Sequence, residues 1–180
     1  MKQLKYLLHS IDESIRQGYL ARREGRPDDA TRLFEQAIAE GRVGNLPDEV
    51  SQALNGLGQI ERDQGKADRG ITRYTEALAI ERTLGHPQDI AHTLRHLGDM
   101  HFEQSRPDAA EPYYEEAMAI YRADPDTGRL SLANALLGYS SLRRLRGDIE
   151  AAHALLKEAR TIYAELHIAA GVADCDEHLK

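Results

Sequence analysis

The chain has one cysteine, Cys175, no tryptophan and two phenylalanines in 180 residues. A lone thiol cannot close an internal disulfide or frame a cysteine-rich metal site. No apolar run approaches the roughly 20 residues that a membrane-spanning helix needs. The N-terminal stretch MKQLKYLLHSIDESI carries acidic residues where a signal peptide would be cleaved. It reads as an amphipathic helix, and a cytoplasmic location is the expectation. An excess of positive charge is also missing. Lys and Arg number 23 against 30 Asp and Glu, for a net charge of −7, which argues against general nucleic-acid binding because phosphate neutralisation needs a basic surface. Enzyme signatures are absent as well: no G-x-x-x-x-G-K loop, no G-x-S-x-G elbow and no cysteine poised beside a partner. The chain therefore reads as no enzyme, with no catalytic residue, no cofactor and no metal.

What the chain does have is a repeat. Ala37, Ala77, Ala117 and Ala159 recur at spacings of 40, 40 and 42 residues. Seven residues before each stands a small residue: Ala30, Gly70, Ala110 or Ala152. Between the two comes a bulky one: Phe34, Tyr74, Tyr114 or Leu156. Gly25, Gly65, Ser105 and Gly147 mark a turn upstream, and Gly18, Gly58, Gly98 and Ser140 lie seven residues before that turn. A fixed period of this size is the mark of stacked supersecondary units.

Each unit holds two helical patterns. Ser51 to Gln64 places Ala53, Leu54, Leu57 and Ile60 on one face, and Ala67 to Leu84 does the same with Ile71, Tyr74, Ala77, Leu78 and Ile80. Gly65 supplies the left-handed residue that ends the first helix. Pro27 and Pro107 suit the first turn of the second helix, where a missing N–H costs nothing. Asp28, Asp108 and Asp148 place negative charge near that positive helix end. The glycine column lets two antiparallel helices approach, the alanine column answers it, and the bulky column fills the gap towards the next unit. Links between units are expected at Gly41–Pro47, Leu84–Gln88 and Ala123–Gly128.

These columns resemble the tetratricopeptide repeat family. Leu54-x-x-Leu57-Gly58 followed by Gly65, Gly70, Tyr74 and Ala77 carries the resemblance, and Leu94-x-x-Leu97-Gly98 with Ala110, Tyr114 and Ala117 repeats it. The match covers about residues 11–165. The period exceeds the family's usual 34 residues and is similar to its longer branch, which includes kinesin light chain-type and bacterial regulatory repeats. The fourth unit departs most, with Tyr139-Ser140 in place of Leu-Gly. The resemblance implies an all-α, right-handed α-α superhelix of four helix-turn-helix repeats in one domain, residues 1–180. The repeats run over about 11–50, 51–90, 91–132 and 133–172. Residues 173–180 form a C-terminal capping helix; truncation of a longer chain is the alternative reading of that tail.

In this family the first helices line a concave groove. The resemblance places Tyr19, Arg22, Arg23, Asn55, Gln59, Arg62, His92, Arg95, Asp99, Phe102, Asn134, Ser141 and Arg144 there as peptide-binding residues. An arginine ladder beside Tyr19 and Phe102 suits a segment bearing acidic and apolar groups, since a guanidinium offers a planar fork of donors. The other reading is that the arginines pair with Asp63, Asp99 and Glu103 on adjacent helices. The groove lacks the Lys, Asn and Arg set of a chaperone-type carboxylate clamp.

His92, His96, Asp99 and Glu103 share one helical stripe. Two histidines four apart can share a metal ion, but the further partners of a zinc motif are missing, and a chance stripe is the favoured reading. Tyr114 is expected to pack at a unit interface, with Tyr121 and Tyr163 left open between packing and recognition. The functional expectation is a non-catalytic protein–protein interaction module whose partner is a protein or peptide segment, with neither nucleic acid nor membrane involved. A self-associating scaffold that forms homo-oligomers, through Leu4, Leu7 and Leu8 or the Val172 helix, and a regulatory sensor remain the alternatives.

Overall fold

Proline and glycine mark several of the element boundaries, as their stereochemistry requires. A computed structural model describes residues 2–123 and 128–180. Among these residues every regular element is an α-helix: α1 (Lys2–Arg23), α2 (Pro27–Gly44), α3 (Pro47–Asp63), α4 (Ala67–Leu84), α5 (Pro87–Glu103), α6 (Pro107–Ala123), α7 (Arg129–Leu145), α8 (Ile149–Glu165) and α9 (Ala169–His178). The all-α class of consecutive helix pairs, with a further helix at the C-terminal end, is that expected from the repeat.

One turn closes all four hairpins. After α1, Gly25 at φ +69° sits between bonds from its own N–H to the Arg22 carbonyl (3.1 Å) and from the Arg26 N–H to the Ala21 carbonyl (2.9 Å). The same pair recurs at Gly65 and Lys66, at Ser105 and Arg106, and at Gly147 and Asp148. This is the Schellman arrangement, which satisfies carbonyls that a helix end would otherwise leave unpaired. Ser105 adopts φ +57° without the freedom of glycine, at a cost on the order of 1 kcal/mol.

The links between hairpins differ from expectation in one respect. Pro47 and Pro87 do not lie in links; they open α3 and α5, four residues ahead of the units' expected starts. Proline at the first helical position forfeits no intrahelical bond. The left-handed residue of the first link is Asn45 and that of the second is Gly85. Of the third link, residues 124–127 lie outside the described residues.

The chain forms two compact units, Met1–His86 and Pro87–Lys180. In the first, α1 packs on α2 and α3, and α3 on α4. Phe34 is fully buried there. A Cβ on Gly18 would lie 2.8 Å from its ring, and one on Gly56 would lie 2.3 Å away. One aromatic ring is thus pressed against glycine on its own hairpin and glycine on the next. Burying such a ring contributes about 2–3 kcal/mol. Tyr74 meets Gly58 in the same way, at 2.9 Å.

In the second unit α5 packs on α6 and α7, α6 on α7, α7 on α8, and α8 on α9. Tyr114 lies between Gly98 and Gly138, both of whose Cβ positions fall 3.0–3.1 Å from it. Leu156 takes the bulky place opposite Ser140, and both are buried. Among the described residues the last helix runs over Ala169–His178, earlier than the expected 173–180. Gly171 permits this, because a Cβ there would lie 2.5 Å from the Tyr163 ring.

Candidate functional site

The first helices of each unit present the residues singled out from sequence, and their surroundings divide these into engaged and open groups. In the first unit, Arg22 of α1 holds Asp63 of α3 in a fork, with Nε to Oδ2 at 2.7 Å and Nη2 to Oδ1 at 3.2 Å. Its hydrogen bond to Asp63 raises the guanidinium's affinity for its proton further. Tyr19 stands edge-on to Phe34, ring centroids 5.0 Å apart, and donates its hydroxyl to the Gln52 carbonyl at 3.4 Å. Burial pushes that phenol up to about 12.

Asn55 departs from the expected groove position. It is buried, and its amide donates to Glu81 Oε1 at 2.8 Å. Glu81 stands in a column with Gly41, Tyr121 and Tyr163. A carboxylate in an otherwise apolar and aromatic column is the sequence signal that something polar must lie opposite, because a buried charge needs a hydrogen-bonding partner. Gln59 and Arg62 are half-buried, whereas Arg23 is exposed.

The second unit concentrates its polar contacts on Asp99. Arg95 donates to Asp99 Oδ2 at 2.8 Å, and the Tyr114 hydroxyl donates to Oδ1 at 2.7 Å. Both members of the Arg95–Asp99 pair are nearly covered, with side chains 12% and 13% exposed. Arg95 Nη2 also lies 2.7 Å from His96 Nε2. His92 stands edge-on to His96, ring centroids 4.6 Å apart. Burial first, and the neighbouring Arg95 charge second, push His92 down to about 4. His92, His96 and Asp99 therefore gather around Arg95, Asp99 and His96 through its polar contacts and His92 edge-on to His96.

Asn134 Oδ1 accepts a hydrogen bond from the Tyr163 hydroxyl at 2.6 Å, which gives that tyrosine a packing role with its polar end satisfied. Ser141 bonds back to the Leu137 carbonyl at 3.4 Å. Phe102 is half-buried. Arg144 is exposed and, among the described residues, has no ion-pair partner. Beside it Leu145 is 62% exposed, at a place where the other hairpins carry Arg23, Asp63 and Glu103.

The arrangement can offer donors, apolar contact and charge to another polypeptide. Of the arginines, Arg22 and Arg95 are committed to Asp63 and Asp99, while Arg23 and Arg144 project outward without a partner among the described residues.

Two family models, each described as "Tetratricopeptide repeat", match the chain: one over residues 49–123 and 89–165, the other over residues 15–82. No curated protein matches it by sequence. Among solved structures it is similar to BtubC (BKLC) from P. vanneervenii, with 24% identity and a TM-score of 0.77, covering 88% of this chain and 65% of that one. Aspartyl phosphate phosphatase F from Bacillus subtilis matches with 15% identity and a TM-score of 0.83, over 93% of this chain and 44% of that one. The TPR domain of Arabidopsis FLU matches with 22% identity and a TM-score of 0.62, over 66% of this chain and 99% of that one. This chain thus spans less than two thirds of the length of the first two. At these identities the likeness is one of fold, and function has to be argued from the site.

Proposed function

Because the chain belongs to the tetratricopeptide repeat family, we propose that it is a non-catalytic interaction module that binds a peptide or protein segment along its first helices, α1 and α3 in one unit and α5 and α7 in the other. The fold itself is that of a protein-interaction module. The finer reading takes residues 1–180 as one functional domain, a cytoplasmic adaptor whose partner is an acidic, partly apolar segment rather than nucleic acid.

One observation carries this reading. The first helices hold an outward arginine in each unit, Arg23 and Arg144, that the chain's own carboxylates leave open among the described residues. Arg144 adjoins the exposed Leu145. A guanidinium beside an aliphatic side chain fits a segment that places a carboxylate next to an apolar group. The engaged residues Arg22, Asp63, Arg95 and Asp99 hold the surface in shape, because their charges are already matched.

Capture from the native lysate tests it, with the Arg23→Glu, Arg144→Glu double variant as the control. The wild type should retain a partner that the variant loses, with both giving the same helical circular dichroism. Equal capture by the two proteins contradicts the proposal.

A further inference from the structure

The two units differ at one place on their first helices. In the first unit, Arg22 of α1 reaches across to Asp63 of α3 and closes a fork at 2.7 and 3.2 Å. The shared turn fixes which residues stand at the same place in the second. Arg22 lies three residues before the left-handed Gly25, and Phe102 lies three before the left-handed Ser105. Asp63 lies two before Gly65, and Leu145 lies two before Gly147. α5 packs on α7 as α1 packs on α3. One turn below Phe102, Asp99 Oδ1 comes within 2.9 Å of where a Cβ on Gly138 of α7 would stand. The place that an ion pair closes in the first unit therefore carries Phe102 and Leu145 in the second.

Both side chains keep contact with water. Leu145 is 62% exposed, and Phe102 is half-buried. That exposure belongs to the position. Arg23 and Glu103 share the column of Leu145, and both are exposed although a further first helix packs on their own within the same unit. Those two are charged, as an exposed position favours; leucine breaks the pattern. A leucine and a phenylalanine at a place where the other unit matches two charges form a surface that gains by losing water to another apolar group.

Charge decides what accompanies that group. α7 carries Arg129, Arg143 and Arg144 and no acidic residue, whereas α1, α3 and α5 each carry at least two. Arg129 pairs with Glu165, and Arg143 pairs with Glu111 at 3.1 Å. Arg144, next to Leu145, has no ion-pair partner among the described residues. On the α5 side Glu103 follows Phe102 and disfavours a second acid there.

On the reading that the first helices bind a segment, and resting on it, we propose that the second unit holds one aliphatic side chain of that segment between Phe102 and Leu145, with a neighbouring carboxylate of the segment on Arg144. Glu103 directs the carboxylate to the α7 side. The first unit has no such anchor, because Arg22 and Asp63 close the same place. A second copy of this chain is a poorer occupant, since a net charge of −7 opposes self-association.

The probe is a fluorescently labelled peptide of alternating glutamate and leucine, with glutamate–serine and lysine–leucine peptides of equal length as comparisons. Fluorescence anisotropy measures each against the full chain and two variants. The Phe102→Arg, Leu145→Asp double variant copies the pair of the first unit and leaves the net charge unchanged. Leu145→Gln changes the exposed position alone, and thermal melts check that both variants fold. The glutamate–leucine peptide should bind the wild type with a Kd below about 1 mM, and at least about fivefold more weakly to either variant. The glutamate–serine peptide should bind the wild type at least about fivefold more weakly than the glutamate–leucine one. The lysine–leucine peptide should not distinguish the three proteins. No binding of the glutamate–leucine peptide, equal binding of the serine form, or binding that Leu145→Gln does not weaken overturns the proposal. So does lysine–leucine binding that falls as much on the variants. A concentration-dependent mass of the chain alone that Leu145→Gln abolishes also overturns it, since the occupant would then be a second copy. A lysate partner lost by the Arg23→Glu, Arg144→Glu variant but kept by Leu145→Gln removes this anchor and leaves the first-helix reading standing.

Discussion

The ring of Phe34 fills the space a side chain on Gly56 would need, 2.3 Å from the position of its Cβ. Gly56 belongs to α3 and Phe34 to α2, so the contact joins successive hairpins. Gly56→Ala should therefore destabilise the chain by about 1–3 kcal/mol through overpacking, despite the roughly 1 kcal/mol that alanine gains over glycine in a helix. A lower urea midpoint with an unchanged slope is the expected readout.

That contact also marks the boundary of what the sequence disclosed. The columns Gly18, Gly58 and Gly98 recur in register and were legible as a steric requirement. Gly56 and Gly138 were not, because His96 occupies the matching place in the unit between them and breaks the column. Hydrophobic spacing alone places Pro47 and Pro87 in links, since the helical pattern of apolar residues begins only after them; their role as first residues of α3 and α5 depends on backbone geometry that this spacing does not encode. In the candidate site, pairing of Arg22 and Arg95 with neighbouring carboxylates is legible in the sequence as one of two readings, because Asp63 and Asp99 lie about one period or one helical turn away. Burial of Asn55 was not legible, since it depends on Glu81 of α4 reaching across.

Two ion pairs of similar geometry should differ in worth. Arg22 and Asp63 keep about a third and a half of their side chains exposed, and such pairs contribute roughly 0–1 kcal/mol. Asp63→Asn should cost no more than that. Asp99 is nearly covered and accepts from both Arg95 and Tyr114. Asp99→Ala leaves a covered guanidinium and a buried hydroxyl short of an acceptor, and should cost about 2–4 kcal/mol. Urea unfolding of both variants in the same buffer makes the comparison.

His92 imposes a pH dependence. Its folded value lies near 4 against an ordinary value of 6.5, so the folded chain resists the proton that the unfolded chain accepts. The contribution to stability is fully present above pH 6.5 and is lost as the pH falls towards 4. The loss should amount to about 3 kcal/mol over that span, and His92→Gln should remove it. Unfolding free energies of wild type and variant at pH 7 and pH 4.5 measure it: the gap between the two proteins should narrow or reverse at the lower pH, and a gap independent of pH contradicts the assignment.

Turn geometry yields a further test. Gly65 holds φ +71° with open space where a Cβ would stand. Gly65→Ala thus strains the backbone without creating a clash, and should cost about 1–2 kcal/mol. Gly65→Asn should cost less, because asparagine tolerates the left-handed region, as Asn45 does at φ 53°. Thermal melts of the two variants rank them.

The most direct measurement of where a partner binds is photo-crosslinking in the native lysate from single sites. A photoreactive residue at position 23 or 144, on the first helices, should join the chain to a partner polypeptide, whereas one at position 35 or 157, on the exposed faces of α2 and α8, should not. Crosslinks to the same partner that are as strong from positions 35 and 157 as from 23 and 144 would contradict recognition by the first helices.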